Sequence, residues 1–239
     1  MFTDELRDEL NSLAVRMEKI EQIEEMGGTL PTGLLFFGPA GTGKTLTACS
    51  LAKTAGWAFV NTSGNDLLRD QGNIDKLLRE ASELRPCIVF IDEADDVLAL
   101  RTTSPYGATV TNKLLTAMDG AGGKIPDVLF IAATNHPENL DPATMRGGRF
   151  TEKVEFTLPD ETTILAMVNK WRSTLKIEVR RDLKNEEIAR QLVGLAPANI
   201  NATLQAAVNR AATRGLGNRR AIIEIDDVLA GMESVMAAA

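Results

Sequence analysis

"GLLFFGPAGTGKT", Gly33 to Thr45, joins an apolar run to a glycine-rich turn that ends in Lys-Thr. Gly33–Phe37 reads as a buried strand, and the residues after Thr45 read as a helix. Between them, Gly38–Thr45 fits G-x-x-x-x-G-K-[ST], and the strand-to-helix setting is what gives that pattern meaning. Its glycines let backbone N–H groups close around phosphate oxygens, and the helix N-terminus adds a favourable potential for an anion. The expected phosphate cradle is therefore Pro39, Ala40, Gly41, Thr42 and Gly43, with Leu46 just inside the helix. Lys44 is expected to reach the β- and γ-phosphates, and Thr45 to offer its hydroxyl to Mg²⁺.

A second stretch needs a partner. "CIVFIDEADD", Cys87 to Asp96, runs from apolar, strand-forming residues into Asp92, Glu93, Asp95 and Asp96. An unpartnered buried carboxylate costs several kcal/mol, so something must meet the acids where the strand ends. Beside a phosphate loop, Asp92 can meet the Mg²⁺ held by Thr45, and Glu93 can polarise an attacking water. Asp95 and Asp96 are expected to face solvent or cap the next helix. A third run, "VLFIAATN", ends at Asn135, an amide placed to hold the water or the γ-phosphate.

Around these motifs, apolar runs at 33–37, 57–61, 87–91, 128–133 and 153–156 alternate with helix-like segments. That alternation predicts an α/β domain with a parallel sheet and crossover helices. Leu6, Leu10, Leu13, Met17 and Ile20 form one helical stripe over about residues 4–25. After Leu158-Pro159-Asp160 the pattern turns helical, which divides the chain into a nucleotide-binding domain, 1–157, and a helical domain, 158–239. Pro197 and Asp226 are expected helix starts.

Composition sets outer bounds. The 239 residues are 44% hydrophobic and 25% charged, in the range of a globular protein. A net charge of −7 argues against a nucleic-acid-binding face, which needs a basic footprint. No apolar run is long enough to span a bilayer, and the polar N-terminus does not read as a signal peptide. The expected location is the cytoplasm, or the cytosolic face of a membrane. Cys49 and Cys87 read as reduced core residues.

With "GPAGTGKT", "IVFIDEAD", "IAATN" and "LDPATMRGGRF" in that order, the sequence resembles the AAA clade of AAA+ ATPases, and is most similar to FtsH-type and related protein-remodelling members. The resemblance implies an αβα sandwich around a five-stranded parallel sheet of order 5-1-4-3-2, with a small C-terminal helical lid. It also implies ATP or ADP with Mg²⁺ at the interfaces of a self-assembled ring, usually of six subunits. Arg146 and Arg149 match the family's two arginine fingers. Cations arriving from a neighbour would stabilise transition-state charge and make hydrolysis depend on assembly. Ala198 matches the retained alanine of the family's Gly-Ala lid stretch, and Pro197 replaces the glycine.

Other positions depart from the family pattern. Members that thread polypeptides carry an aromatic-hydrophobic-glycine pore loop after the second strand. Here the stretch is "SGNDLLRDQGNIDKLL", with polar Arg69, Asp70 and Gln71 at its centre. The family's Asp-Gly-Phe motif reads Asp119-Gly120-Ala121. Tyr106 lies where a second pore loop is expected. A Val-x-Gly stretch that borders adenine in relatives is missing, which raises the expectation of an absent upstream part, a membrane anchor being one form of it. His136, Trp57 and Trp171 read as loop and packing residues.

The function these readings imply is Mg-dependent ATP hydrolysis by a ring that remodels a protein client without generic aromatic threading. The alternative is a nucleotide-dependent scaffold or switch. A helicase reading of "DEAD" lacks a second RecA-like domain and a basic surface. No H-E-x-x-H metalloprotease motif occurs.

Overall fold

The computed structural model describes residues 4–99, 105–119, 125–145, 149–216 and 221–237, with Gln71, Pro105 and Tyr106 described by backbone alone. These residues gather into two compact units.

The larger unit takes in Glu5–Gly38 and Gly43–Phe156. In chain order its elements are α1 (Asp4–Glu18), α2 (Ile20–Glu25), β1 (Gly33–Phe37), α3 (Lys44–Ala55), β2 (Ala58–Ser63), α4 (Gly64–Arg69) and α5 (Gln71–Glu83). Then follow β3 (Cys87–Asp92), α6 (Asp95–Leu98), α7 (Pro105–Asp119), β4 (Val128–Thr134) and β5 (Phe150–Glu155). The five strands pair in parallel in the order β2-β3-β4-β1-β5, which is the expected 5-1-4-3-2 read from the other edge.

Burial explains which strands are central. All seven residues of β4 and the first five of β3 are buried, as expected where helices cover both faces of a parallel sheet. Leu35, Val89, Ile91, Phe130 and Ala132 share one core with Leu67, Ile74, Leu77, Val97, Val110 and Leu114 from the helices that follow β2 and β3. Residues of opposite parity, such as Phe36 and Phe90, are fully buried too; Phe36 meets Phe156 with ring centroids 5.0 Å apart.

The edges and ends differ from the expectation. The strand placed at 153–156 begins three residues earlier, at Phe150, because only Phe150 and Val154 are buried and the intervening polar residues hide the run. The single helix expected over 4–25 is broken at Lys19, whose backbone (φ −113°, ψ 30°) leaves the helical region. Leu6, Leu10, Leu13 and Met17 are buried as the stripe requires, and Arg16 bonds Glu152 on β5 at 3.2 Å. Cys87 is buried, but Cys49 is exposed on α3. Its neighbours Ala48, Leu51 and Ala52 take the inward face of that helix.

The smaller unit takes in Pro39–Thr42 and the described residues from Thr157 onward. It holds α8 (Glu161–Thr174), β6 (Glu178–Val179), α9 (Asn185–Gln191), α10 (Pro197–Gly215), β7 (Ile222–Ile223) and α11 (Ile225–Met236). Ile164, Val168, Ile188, Leu192, Ile200, Leu204 and Val228 form its core. Pro197 sits in the first turn of α10, where its missing N–H costs nothing. Asp226 lies inside the first turn of α11 and does not start it. Glu224 is the N-cap, in a capping box closed by Asp227, because two reciprocal side-chain bonds there satisfy more free N–H groups than one cap two residues later.

Candidate functional site

Sheet order places the motifs together. β1 lies beside β4 and β4 beside β3, all parallel, so Gly38, Asn135 and Asp92 leave or end neighbouring strands at the same carboxyl end of the sheet. Ligands of open parallel sheets bind outside the carboxyl ends of the strands, where the strand order switches.

The phosphate-loop turn begins with a backbone that only glycine adopts freely. Gly38 has φ 135°, and a Cβ there would lie 2.0 Å from the Phe156 carbonyl oxygen. Thr42 Oγ1 donates to the Pro39 carbonyl at 2.8 Å, and the Ala198 N–H donates to the Gly41 carbonyl at 3.1 Å. The Ala198 pairing lies wholly within the smaller unit. Gly43 caps α3 in a left-handed conformation, with no side chain in the way of the helix N-terminus.

Lys44 and Thr45, the first residues of α3, face the strand ends. Lys44 is buried, and its Nζ donates to the Gly38 carbonyl and to Asn135 Oδ1, both at 2.8 Å. Burial pushes the ammonium pKa down from the ordinary lysine value, while Asp92 pulls it back up. Thr45 Oγ1 donates to Asp92 Oδ2 at 3.0 Å. The other Asp92 oxygen accepts the Glu93 N–H at 3.0 Å. A hydroxyl and a carboxylate side by side are hard oxygen donors of the kind Mg²⁺ takes when phosphates and water complete its shell. Among the described residues no cluster of three or more His, Cys, Asp or Glu side chains could hold a metal by itself.

Glu93 is exposed and has φ 49°, an uncommon conformation for a non-glycine residue. It lies directly beyond the strand, whereas Asp92, the last strand residue, meets Thr45. Asp95 corrects the reading that it faces solvent or caps a helix. It is half-buried and accepts a hydrogen bond from Thr134 Oγ1 at 2.6 Å, and the N-cap position of α6 is Ala94. Asp96 is exposed. Thr134, missed at the sequence level, has as its one sequence signal its place directly before Asn135 in "IAATN".

Arg146 falls outside the described residues. Arg149 is described, and its guanidinium grips Asp119 in the same chain. Nε lies 2.9 and 3.0 Å from the two carboxylate oxygens, and Nη2 lies 2.5 Å from one of them. Hydrogen bonding to Arg149 holds the Asp119 carboxyl below the ordinary range. Gly120 and Ala121 fall outside the described residues, as does the Tyr106 side chain. The segment read as a pore loop is largely helical: Arg69 ends α4, and Asp70 accepts the Gly72 N–H at 2.8 Å as the N-cap of α5. Leu46 is 76% exposed beside the phosphate loop. His136 is exposed and pairs with Glu138, and Trp171 packs against the smaller unit's core.

Residues 34–158 match the family model described as the ATPase family associated with various cellular activities (AAA). A proteasome-activating nucleotidase of Methanococcus maripaludis is 36% identical over 237 residues, 95% of this chain and 56% of its own length. An ATP-dependent zinc metalloprotease FtsH of Aster yellows witches'-broom phytoplasma is 35% identical over 240 residues, 95% of this chain and 35% of its own length. A chloroplastic zinc metalloprotease of the same type from Oryza sativa subsp. japonica is 32% identical over 246 residues, 36% of its own length. The chain thus spans about half, or less, of the length of these relatives. With Gly38, Lys44 and Thr45, the Asp92–Glu93 strand end and Asn135 gathered at the carboxyl ends of neighbouring strands, and with that family match over more than half its length, the chain belongs to the AAA family of ATPases.

Proposed function

We propose that the chain is the motor domain of a ring, of six subunits, that hydrolyses Mg-ATP to remodel a protein partner. The observation that carries this reading is the convergence of Lys44, Thr45, Asp92 and Asn135 at the ends of β1, β3 and β4. Thr45 and Asp92 are the residues that would hold Mg²⁺, which neutralises charge on phosphate oxygens when bound. Lys44 gives up its bonds to Gly38 and Asn135 for the β- and γ-phosphates, and its burial strengthens that attraction. Asn135, once released, is free to orient water. Glu93, exposed beyond the strand, polarises that water toward the γ-phosphate. The backbone N–H groups of Ala40, Gly41, Thr42 and Gly43 bind phosphate, Pro39, which has none, shapes the turn, and Ala198 holds the Gly41 carbonyl within the smaller unit.

Arg146 and Arg149 act on the nucleotide of a neighbouring subunit, so Arg149 must leave Asp119 before it can serve. Two of these relatives, named as a proteasome-activating nucleotidase and an ATP-dependent zinc metalloprotease, support a protein substrate. The hydrated residues Arg69 and Asp70 support engagement of a particular client over generic threading, since gripping an arbitrary chain requires apolar burial. No described helix is long and apolar enough to cross a bilayer.

The test is a pair of substitutions. Glu93→Gln is expected to keep ATP binding and lower turnover at least about 100-fold, the range for a lost water activator. Lys44→Ala is expected to weaken ATP and ADP binding itself. Wild-type turnover in Glu93→Gln, measured by phosphate release, would overturn the assignment.

A further inference from the structure

The turn that carries Glu93 and the turn that carries Asn135 are joined twice. The Ala94 N–H donates to the Ala133 carbonyl at 2.8 Å. One residue further on, Thr134 Oγ1 donates to Asp95 Oδ1 at 2.6 Å and accepts the His136 N–H at 2.9 Å. The first bond is backbone to backbone and independent of side-chain identity. The second exists only because residue 95 is an acid and residue 134 carries a hydroxyl.

Thr134 is 1% exposed, and its hydroxyl is used in both directions, as donor and as acceptor. Hydrogen bonds to an ionised carboxylate are shorter and stronger than neutral ones, and the 2.6 Å separation fits that class. Asp95 is not spent on helix capping: α6 has only four residues, and no side chain caps it. Glu93, two residues before Asp95, has φ 49°, a conformation that persists only when its surroundings over-determine it. Asn135 lies between the Thr134 hydroxyl and the His136 N–H that the hydroxyl accepts. Both proposed water-handling groups therefore extend from segments fixed by the same pair.

We propose that Asp95 and Thr134 form a clasp that sets the position of Glu93 relative to Asn135, with Asp95 acting as a positioning residue through the Thr134 hydroxyl. This rests on the reading of Glu93 and Asn135 as the groups that activate and hold water. The clasp touches neither phosphate nor base, so breaking it lowers the chemical step and spares nucleotide binding. A displacement of about 1 Å between positioned groups can cost about 100-fold in rate, and the expected loss is about 10- to 100-fold in kcat.

The experiment measures steady-state Mg-ATP turnover and equilibrium ADP binding on the assembled protein for Thr134→Val, Thr134→Ser, Asp95→Ala and the Asp95→Ala/Thr134→Val pair. Thr134→Val matches the wild-type size and removes only the hydroxyl, so it remains informative where Asp95→Ala fails to fold. The clasp requires that Thr134→Val lower kcat as stated while KM and the ADP Kd stay within about threefold. Thr134→Ser must recover most of the loss, and the double variant must fall no further than the worse single one, as for two ends of one bond. Thr134→Val turnover within about twofold of wild type overturns the proposal, as does a loss confined to KM or a Thr134→Ser variant as impaired as Thr134→Val. Glu93→Gln runs alongside. If it abolishes turnover while Thr134→Val stays within about twofold of wild type, the clasp alone is wrong; if Glu93→Gln retains turnover, the reading of the site itself fails.

Discussion

Asp227→Asn in the helical unit tests whether one buried carboxylate holds together the helix pair that carries Ala198. Asp227 is 2% exposed. It accepts Arg214 Nη1 and Nη2, each at 2.7 Å, and the Glu224 N–H at 3.0 Å. Arg214 closes α10 and Asp227 opens α11, so the fork fastens the end of one helix to the start of the other. The amide keeps the shape but presents an NH₂ group to a guanidinium that can only donate. Losing a charge-assisted bond at a buried acceptor costs about 2–3 kcal/mol, with Arg214 open enough to water to recover part of its own share. At about 2–4 °C per kcal/mol for a chain of this size, melting as one unit, the midpoint falls by at least about 4–8 °C.

The pH dependence has a definite sign. Burial pushes the Asp227 pKa up, but bonding to Arg214 and to the Glu224 N–H, with the charges of Arg214 and Arg210, leaves it below the ordinary value. A carboxyl depressed in the folded state contributes stability that is full above the unfolded value, about 3.9, and is lost as pH falls through the folded one. The gap between wild type and Asp227→Asn is therefore expected to be constant near neutrality and to close as pH drops below about 4. Melts followed by circular dichroism from neutral pH downward measure it. A neutral-pH midpoint within about 1 °C of wild type, or a gap that widens on acidification, would refute the account.

Arg149→Ala is expected to abolish turnover while sparing ATP binding. Asp119→Asn, which loosens a half-exposed pair worth about 1 kcal/mol, is expected to leave turnover intact or raise it up to about fivefold, since 1.4 kcal/mol is a factor of ten. Turnover lost as completely in Asp119→Asn as in Arg149→Ala would mean that the same-chain pair is itself the working state. Gly64→Ala would place a Cβ 2.3 Å from the Glu93 carbonyl oxygen. Overpacking of this kind costs about 1–3 kcal/mol, and the variant is expected to melt lower and hydrolyse ATP more slowly with ADP binding retained. Wild-type values in both assays would show that the Glu93 turn yields freely.

The strand, the glycine-rich turn and the helix start were legible from Gly33–Thr45 alone, because each is a local choice of backbone conformation written in adjacent residues. The buried central strands were legible for the same reason: a run such as Val128–Thr134, apolar at nearly every position, suits a strand covered on both faces. Edge strand β5 was only half legible, since two buried residues among exposed polar ones make a weak pattern. Family resemblance, and not periodicity, supplied the sheet order, whereas the phosphate-loop motif beside an acid-ended strand supplied the pairing of Asp92 with Thr45. Tertiary structure decided what the three acids after β3 do. Asp95 and Asp96 are adjacent and chemically identical, yet one meets Thr134 and the other meets water. That choice depends on where the turn beyond β3 directs each side chain relative to β4, a strand that begins at Val128, 36 positions after β3 ends. It likewise decided that Arg149 rests on Asp119 and that Lys44 reaches Asn135, 91 positions away. Sequence fixes which groups can bond; the folded backbone fixes which of them come within about 3 Å, and hydrogen bonding falls off steeply beyond that separation.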